Sequence, residues 1–100
     1  MKFDLNDKND WRIIKSSTHA LDYPKYAGQA PNRKGVYLLI NSDNGVVRVG
    51  IGSDSTIKDE IQTNKTIDND KKAITYRWFI TLNGEMAKEL GKELIGKYLT

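Results

Sequence analysis

A chain of 100 residues with 38% hydrophobic and 29% charged side chains has the length of one domain and the make-up of an ordinary globule, which excludes a fibre or a disordered tail. The formal charge of +3 suits a phosphate-bearing partner without requiring one. With no cysteine and a single histidine, His19, disulfides, thiolate zinc sites and cysteine nucleophiles are excluded, so a metal would be held mainly by oxygen.

The first 34 residues carry weak signals. Phe3, Leu5, Trp11, Ile13 and Ile14 suit the edge of a sheet or the cap of a core. SSTHALDYPKYAGQAPNRKG is rich in turn formers and reads as loop, with Tyr23, Tyr26 and Trp11 expected to pack and His19 to sit on the surface. From Gly35 the pattern sharpens. Val36, Leu38 and Ile40 alternate on one side of Ser42-Asp43-Asn44-Gly45, and Val47, Val49 and Ile51 on the other, which predicts a hairpin. Tyr37, Leu39, Val46, Arg48 and Gly50 then point to the opposite face, so Tyr37 and Arg48 share a side.

Ile57 and Ile61, preceded by the possible caps Ser53, Asp54, Ser55 and Thr56, predict a short helix over TIKDEIQTN. NKTIDNDKK reads as an exposed loop. Thr75 to Leu82 returns to strand, with Tyr76, Trp78, Ile80 and Leu82 on one side and Thr75, Arg77, Phe79 and Thr81 on the other. Asn83 is a fitting N-cap for a last helix whose apolar stripe is Met86, Leu90, Leu94, Ile95 and Tyr98. The fold class expected is α+β, one domain. A small, three-stranded, mainly antiparallel sheet flanked by helices makes a core over 35–100, behind an irregular N-terminal extension over 1–34.

The order strand, strand, helix, strand, helix, together with Gly35-Val36-Tyr37, Arg48-Val49-Gly50 and ITLNGEMAKELGKELIGKYL, resembles the GIY-YIG nuclease family. That resemblance implies two motifs on adjacent strands of a three-stranded sheet, an arginine on the following helix and a glutamate on a later one. It also implies metal-assisted phosphodiester hydrolysis, with the first tyrosine near the attacking water and the glutamate holding one Mg²⁺ or Mn²⁺ ion. Tyr37 matches the first tyrosine. Three positions are substituted: Arg48 stands for the second tyrosine, Glu60 falls where the arginine is expected, and Gly91 falls where the glutamate is expected.

These substitutions remove most of the chemistry. At ~6 Å and an effective dielectric near 20, Glu60 would repel a phosphate by roughly 3 kcal/mol where the arginine would attract it. Glu89 and Glu93 are near Gly91 in sequence but lie about 200° away around a helix. A mid-helix glycine costs about 1 kcal/mol against alanine, which points to close backbone approach at Gly91. The expected function is therefore a catalytically inactive or impaired GIY-YIG-like binding module or inhibitor, directed at nucleic acid or a protein partner, with no cofactor and a place in a nucleic-acid-processing complex. Arg48, Lys58, Lys71, Lys72 and Arg77 are the cations expected to meet nucleic acid, and a surface around Tyr37 the expected protein contact. The alternative is a metal-dependent endonuclease using Tyr37, Arg48, Glu89 and Glu93. The longest apolar run, Val36 to Ile40, is too short to cross a bilayer, and the polar, acidic N-terminus does not resemble a secretory signal. A cytoplasmic location is expected.

Overall fold

The computed structural model describes residues 2–63 and 72–99. Its centre is β3 (Gly35–Asn41), hydrogen-bonded on one side to β4 (Val46–Gly52) and on the other to β5 (Ala73–Thr81), both antiparallel. Asn41 closes the β3–β4 hairpin: its side-chain oxygen accepts from the amides of Asp43 (3.0 Å) and Gly45 (2.8 Å). Asn44 takes a left-handed φ of 62° in that turn, a conformation asparagine tolerates. The strand, strand, helix, strand, helix order continues with α1 (Ile57–Thr63) and α2 (Gly84–Tyr98). Thr56 caps α1 through its hydroxyl, and the Asn83 side chain caps α2 by accepting from Met86 N at 2.9 Å.

The α+β class is as expected, but the sheet is wider than three strands. β1 (Ile13–Ser16) and β2 (Leu21–Asp22) both pair antiparallel with β5, giving the order β1-β5-β3-β4 with β2 beside β5. Thus part of the N-terminal third is an integral sheet edge. Within it, Tyr23, Ala27 and Ala30 are buried, and Tyr23 meets Tyr76 edge-on with centroids 6.4 Å apart. Trp11 departs from expectation, since it is 75% exposed.

Two cores cover the two faces of the sheet. On one face Tyr37, Leu39, Tyr76 and Ile80 pack beneath Ile57 and Ile61 of α1 together with Tyr23, Ala27 and Ala30. On the other, Val36, Leu38, Val49 and Phe79 pack beneath Leu90, Leu94 and Tyr98 of α2, with Phe3 and Ile13 at the margin. The expected trio Val47, Val49 and Ile51 is corrected by a bulge between Arg48 and Val46. The extra residue puts Val46 with Val49, and Val47 against the α1 face. The stripe of α2 is also displaced. Ala87 and Gly91 are buried along its midline while Met86 and Ile95 are only half-buried, because this helix lies close to the sheet.

Candidate functional site

Tyr37 and Arg48 do share a face. Tyr37 pairs with Gly50 and Leu39 with Arg48, and all four look towards α1. That face is roofed, however, and Tyr37 is 0% exposed. Its hydroxyl donates to the Glu60 carbonyl at 3.5 Å, the long limit of a hydrogen bond. Gly50 exists to make room for the ring, since a Cβ there would sit 2.6 Å from the Tyr37 hydroxyl oxygen and nearer still to two ring carbons. A protein-docking surface centred on Tyr37 is therefore corrected: the side chain is enclosed.

Glu60 lies on α1, half-buried, and its carboxylate accepts from the Ser55 hydroxyl at 2.8 Å. Gly91 faces the other side of the sheet. A Cβ there would run into Cγ1 and Cδ1 of Ile51, which bears out the close approach read from the sequence. A longer side chain at this position would point at Ile51, across the sheet from Tyr37 and Arg48.

Glu93 is held by Arg12. This arginine is 6% exposed and donates through Nε and one Nη to both oxygens of Asp10 (2.8 and 2.7 Å), and through the other Nη to Glu93. The guanidinium holds the carboxyls of Asp10 and Glu93 below their ordinary ranges, and the two carboxylates in turn raise the pKa of Arg12. Glu89 is exposed on α2. Among the described residues no three Asp, Glu or His side chains converge as metal ligands would. The residues present do not fit the divalent cation implied by the resemblance: the expected position is a glycine against isoleucine, and one neighbouring carboxylate is committed to Arg12.

A second ionic tie lies beyond the first. Lys97 donates to Asp7 at 2.7 Å and to Asp4 at 3.1 Å, while the Tyr98 hydroxyl accepts from Asp4 N at 2.9 Å and donates to the Asp7 carboxylate. Burial pushes the Tyr98 phenol up to about 12, and the Asp7 carboxylate adds to the rise. The two ties fasten a 3-10 turn at Leu5–Asn9 along α2, leaving a cavity of about 380 Å³ between turn and helix.

Among the described residues, the expected nucleic-acid cations do not form one patch. Arg48 is half-buried on the α1 face. Arg77 pairs across from Leu38 on the α2 face, where its guanidinium lies 4.9 Å from the Phe3 ring centroid and burial lowers its pKa. Lys58 stands on the first turn of α1 and Lys72 is exposed just before β5. Lys71 lies outside the described residues, as do the acidic pair Asp68 and Asp70 and most of the NKTIDNDKK loop.

Tyr37 and Arg48 line none of the cavities described here. Sequence reasoning missed two neighbouring cations that do line one. Arg33 and Lys34, in the loop before β3, border a cavity of about 300 Å³ with Asn32, Thr56, Thr81 and Leu82. The signal was NRKG, two consecutive cations in a segment read only as turn formers.

With this geometry in place, comparison with known families gives one match, a domain of unknown function (DUF7508), over residues 11–96. The chain belongs to the DUF7508 family. The DUF7508 match takes in β1 and β2 as well as the hairpin, α1 and most of α2, so the N-terminal strands are part of the family domain rather than an appendage. No curated protein and no solved structure matches the chain.

Proposed function

We propose that this chain is a GIY-YIG-like domain that binds nucleic acid without hydrolysing it. The observation that carries this reading is the division of the expected catalytic positions between opposite faces of the sheet. Tyr37, Arg48 and Glu60 belong to the α1 side, whereas position 91 is a glycine pressed on Ile51 on the α2 side. Hydrolysis by a single cation requires its oxygen ligand, the attacking water and the charge-stabilising groups within a few ångströms of one phosphorus atom. Here a tyrosine with no exposed surface and a carboxylate clamped to Arg12 cannot meet at such a point. The element order and the central position of β3 between β4 and β5 support the resemblance. The formal charge of +3 and the cation-lined cavity support a phosphate-bearing partner.

The test is incubation of the purified protein with supercoiled plasmid and with structured RNA, in magnesium, in manganese and in EDTA, beside a Tyr37→Phe variant. The expected result is no cleavage in any arm, with a mobility shift that weakens as salt rises. Cation-dependent cleavage abolished by Tyr37→Phe would overturn the reading in favour of an endonuclease. The absence of a mobility shift at low salt would overturn the nucleic-acid partner and direct attention to a protein.

A further inference from the structure

The cavity in front of β3 has a donor set of one kind. Its polar lining residues are Asn32, Arg33, Lys34, Thr56 and Thr81, with exposed Leu82 as an apolar rim and no carboxylate in the wall; Thr81 is buried and gives its hydroxyl proton to the Asn83 carbonyl at 2.9 Å, so the donors available to a ligand come from the other four. The Thr56 oxygen already accepts from Asp59 N at 3.1 Å, which leaves its O–H free to donate. Lys34 spends one ammonium proton on the Ser53 carbonyl at 2.9 Å and keeps two. Among the described residues neither Arg33 nor Lys34 is in an ion pair, in contrast to Arg12 and Lys97, which are each engaged by two carboxylates.

The backbone beneath these side chains is pinned from two sides. The Arg33 carbonyl accepts from Ile57 N at 2.8 Å, the Pro31 carbonyl from Lys58 N at 3.1 Å, and the Lys34 carbonyl from Thr81 N at 3.0 Å. Hence the loop is bonded to both α1 and β5, and the first amides of α1 are already satisfied by carbonyls. Anion attraction at this place comes from side chains alone, on a backbone that has no need to reorganise when a ligand arrives. Lys58, on the turn bonded to Pro31, adds a third cation to the neighbourhood.

We propose that the cavity formed by Asn32, Arg33, Lys34 and Thr56 is a binding site for a phosphate group, presented as a free phosphate monoester or within a nucleic-acid backbone. A guanidinium and an ammonium with neutral donors between them suit the several oxygens of such a group. The site is separate from the Tyr37 and Arg48 positions. It rests on the binding reading above only for its nucleic-acid form.

The experiment is an amide-resolved NMR titration with inorganic phosphate and with a short single-stranded oligonucleotide, using the wild type, Arg33→Gln, and Arg33→Gln with Lys34→Gln. The expected outcome is saturable shifts at residues 32–34, 56–57 and 81–82. For the oligonucleotide, affinity should fall about seven-fold between roughly 50 and 200 mM salt, as two phosphate contacts on a single strand predict. The single variant should lower the salt slope by roughly one contact, and the double variant should make it nearly flat. Arg33→Gln leaves the Lys34–Ser53 hydrogen bond in place, so a folding defect confined to the double variant does not blunt the test. Shifts with the oligonucleotide but not with phosphate identify the backbone as the source, and shifts with both identify a general phosphate site. Shifts centred elsewhere, or an unchanged salt slope in both variants, overturn the proposal. Plasmid cleavage alongside shifts at 32–34 would sink the non-hydrolytic reading and leave this site standing; no cleavage and no shifts here would do the reverse.

Discussion

Replacing Gly50 by alanine isolates the packing role of the hairpin's second strand. The added Cβ would stand 2.6 Å from the Tyr37 hydroxyl oxygen and closer to the ring carbons, whereas carbon contacts normally settle at about 3.5 Å or more. The ring carbons, at 2.0 and 2.1 Å from that Cβ, must therefore retreat by about 1.5 Å to reach an ordinary contact, and the ring has no solvent to retreat into, since Tyr37 is 0% exposed beneath Ile57 and Ile61. Overpacking of this kind costs about 1–3 kcal/mol, with a rigid ring as obstacle placing it in the upper part of that range. Alanine recovers roughly 0.5–1 kcal/mol of backbone entropy. The net loss is about 2 kcal/mol, which for a domain of this size lowers Tm by about 8–16 °C. Thermal melts followed by circular dichroism read it directly. Pairing the change with Tyr37→Leu should return part of the loss, a coupling of about 1–2 kcal/mol in the double-mutant cycle. An unchanged or raised Tm in Gly50→Ala, or no coupling to Tyr37→Leu, would refute the argument that the ring dictates the glycine.

Gly91→Ala gains about 1 kcal/mol of helix propensity and loses about 1–3 kcal/mol to the clash with Ile51. A net destabilisation of about 1 kcal/mol is expected by denaturant titration, and the clash itself is relieved when Ile51→Ala removes both Cγ1 and Cδ1, which a double-mutant cycle reads as coupling between the two positions. Arg12→Met should cost about 2 kcal/mol, mostly from leaving the Asp10 carboxylate, 22% exposed, without its partner, since Glu93 at 64% exposure is screened by solvent. The pH dependence carries a definite sign. Asp10 and Glu93 are depressed from ordinary values of 3.8 and 4.5 by Arg12, so the folded state binds fewer protons than the unfolded one in acid. Their contribution is complete above those values and drains away as pH falls through the lowered folded pKa values. The wild type should therefore lose stability below about pH 4 more steeply than Arg12→Met, and parallel acid profiles would contradict this account.

The hairpin, both helices and the faces of β5 were legible because each is written locally. Alternation across Ser42-Asp43-Asn44-Gly45, the caps Thr56 and Asn83, and the Ile57–Ile61 spacing all lie within one element or its border. β1 and β2 were not legible as strands, being four and two residues long and paired with β5 some 53 to 68 residues away in sequence. The enclosure of Tyr37 had a signal that alternation conceals. Val36 to Ile40 is an unbroken apolar run, the mark of a strand covered on both faces, whereas the period-two reading left one face open. The bulge at Val46–Val47 shifted the register of half a strand without any glycine to announce it. Arg12, Asp10 and Glu93 come together only through tertiary structure, and Arg33 and Lys34 gained meaning only when Thr56 and Leu82 were brought beside them.

The pairing of β1 with β5 bears on how the chain is made as well as how it stands. Ile13 meets Thr81, and Asp4 meets Tyr98, so each of these segments finds its partner in one translated well after it. At about 5–20 residues per second, roughly 3–14 s separate the emergence of Ile13 from that of Thr81. During that interval Trp11, Ile13 and Ile14 leave the ribosome with no sheet to join, although the β3–β4 hairpin can already close behind them. A nascent chain of this design presents a sticky segment to its surroundings or to a chaperone, and its edge strand is set in place only after synthesis of the sheet's middle is finished.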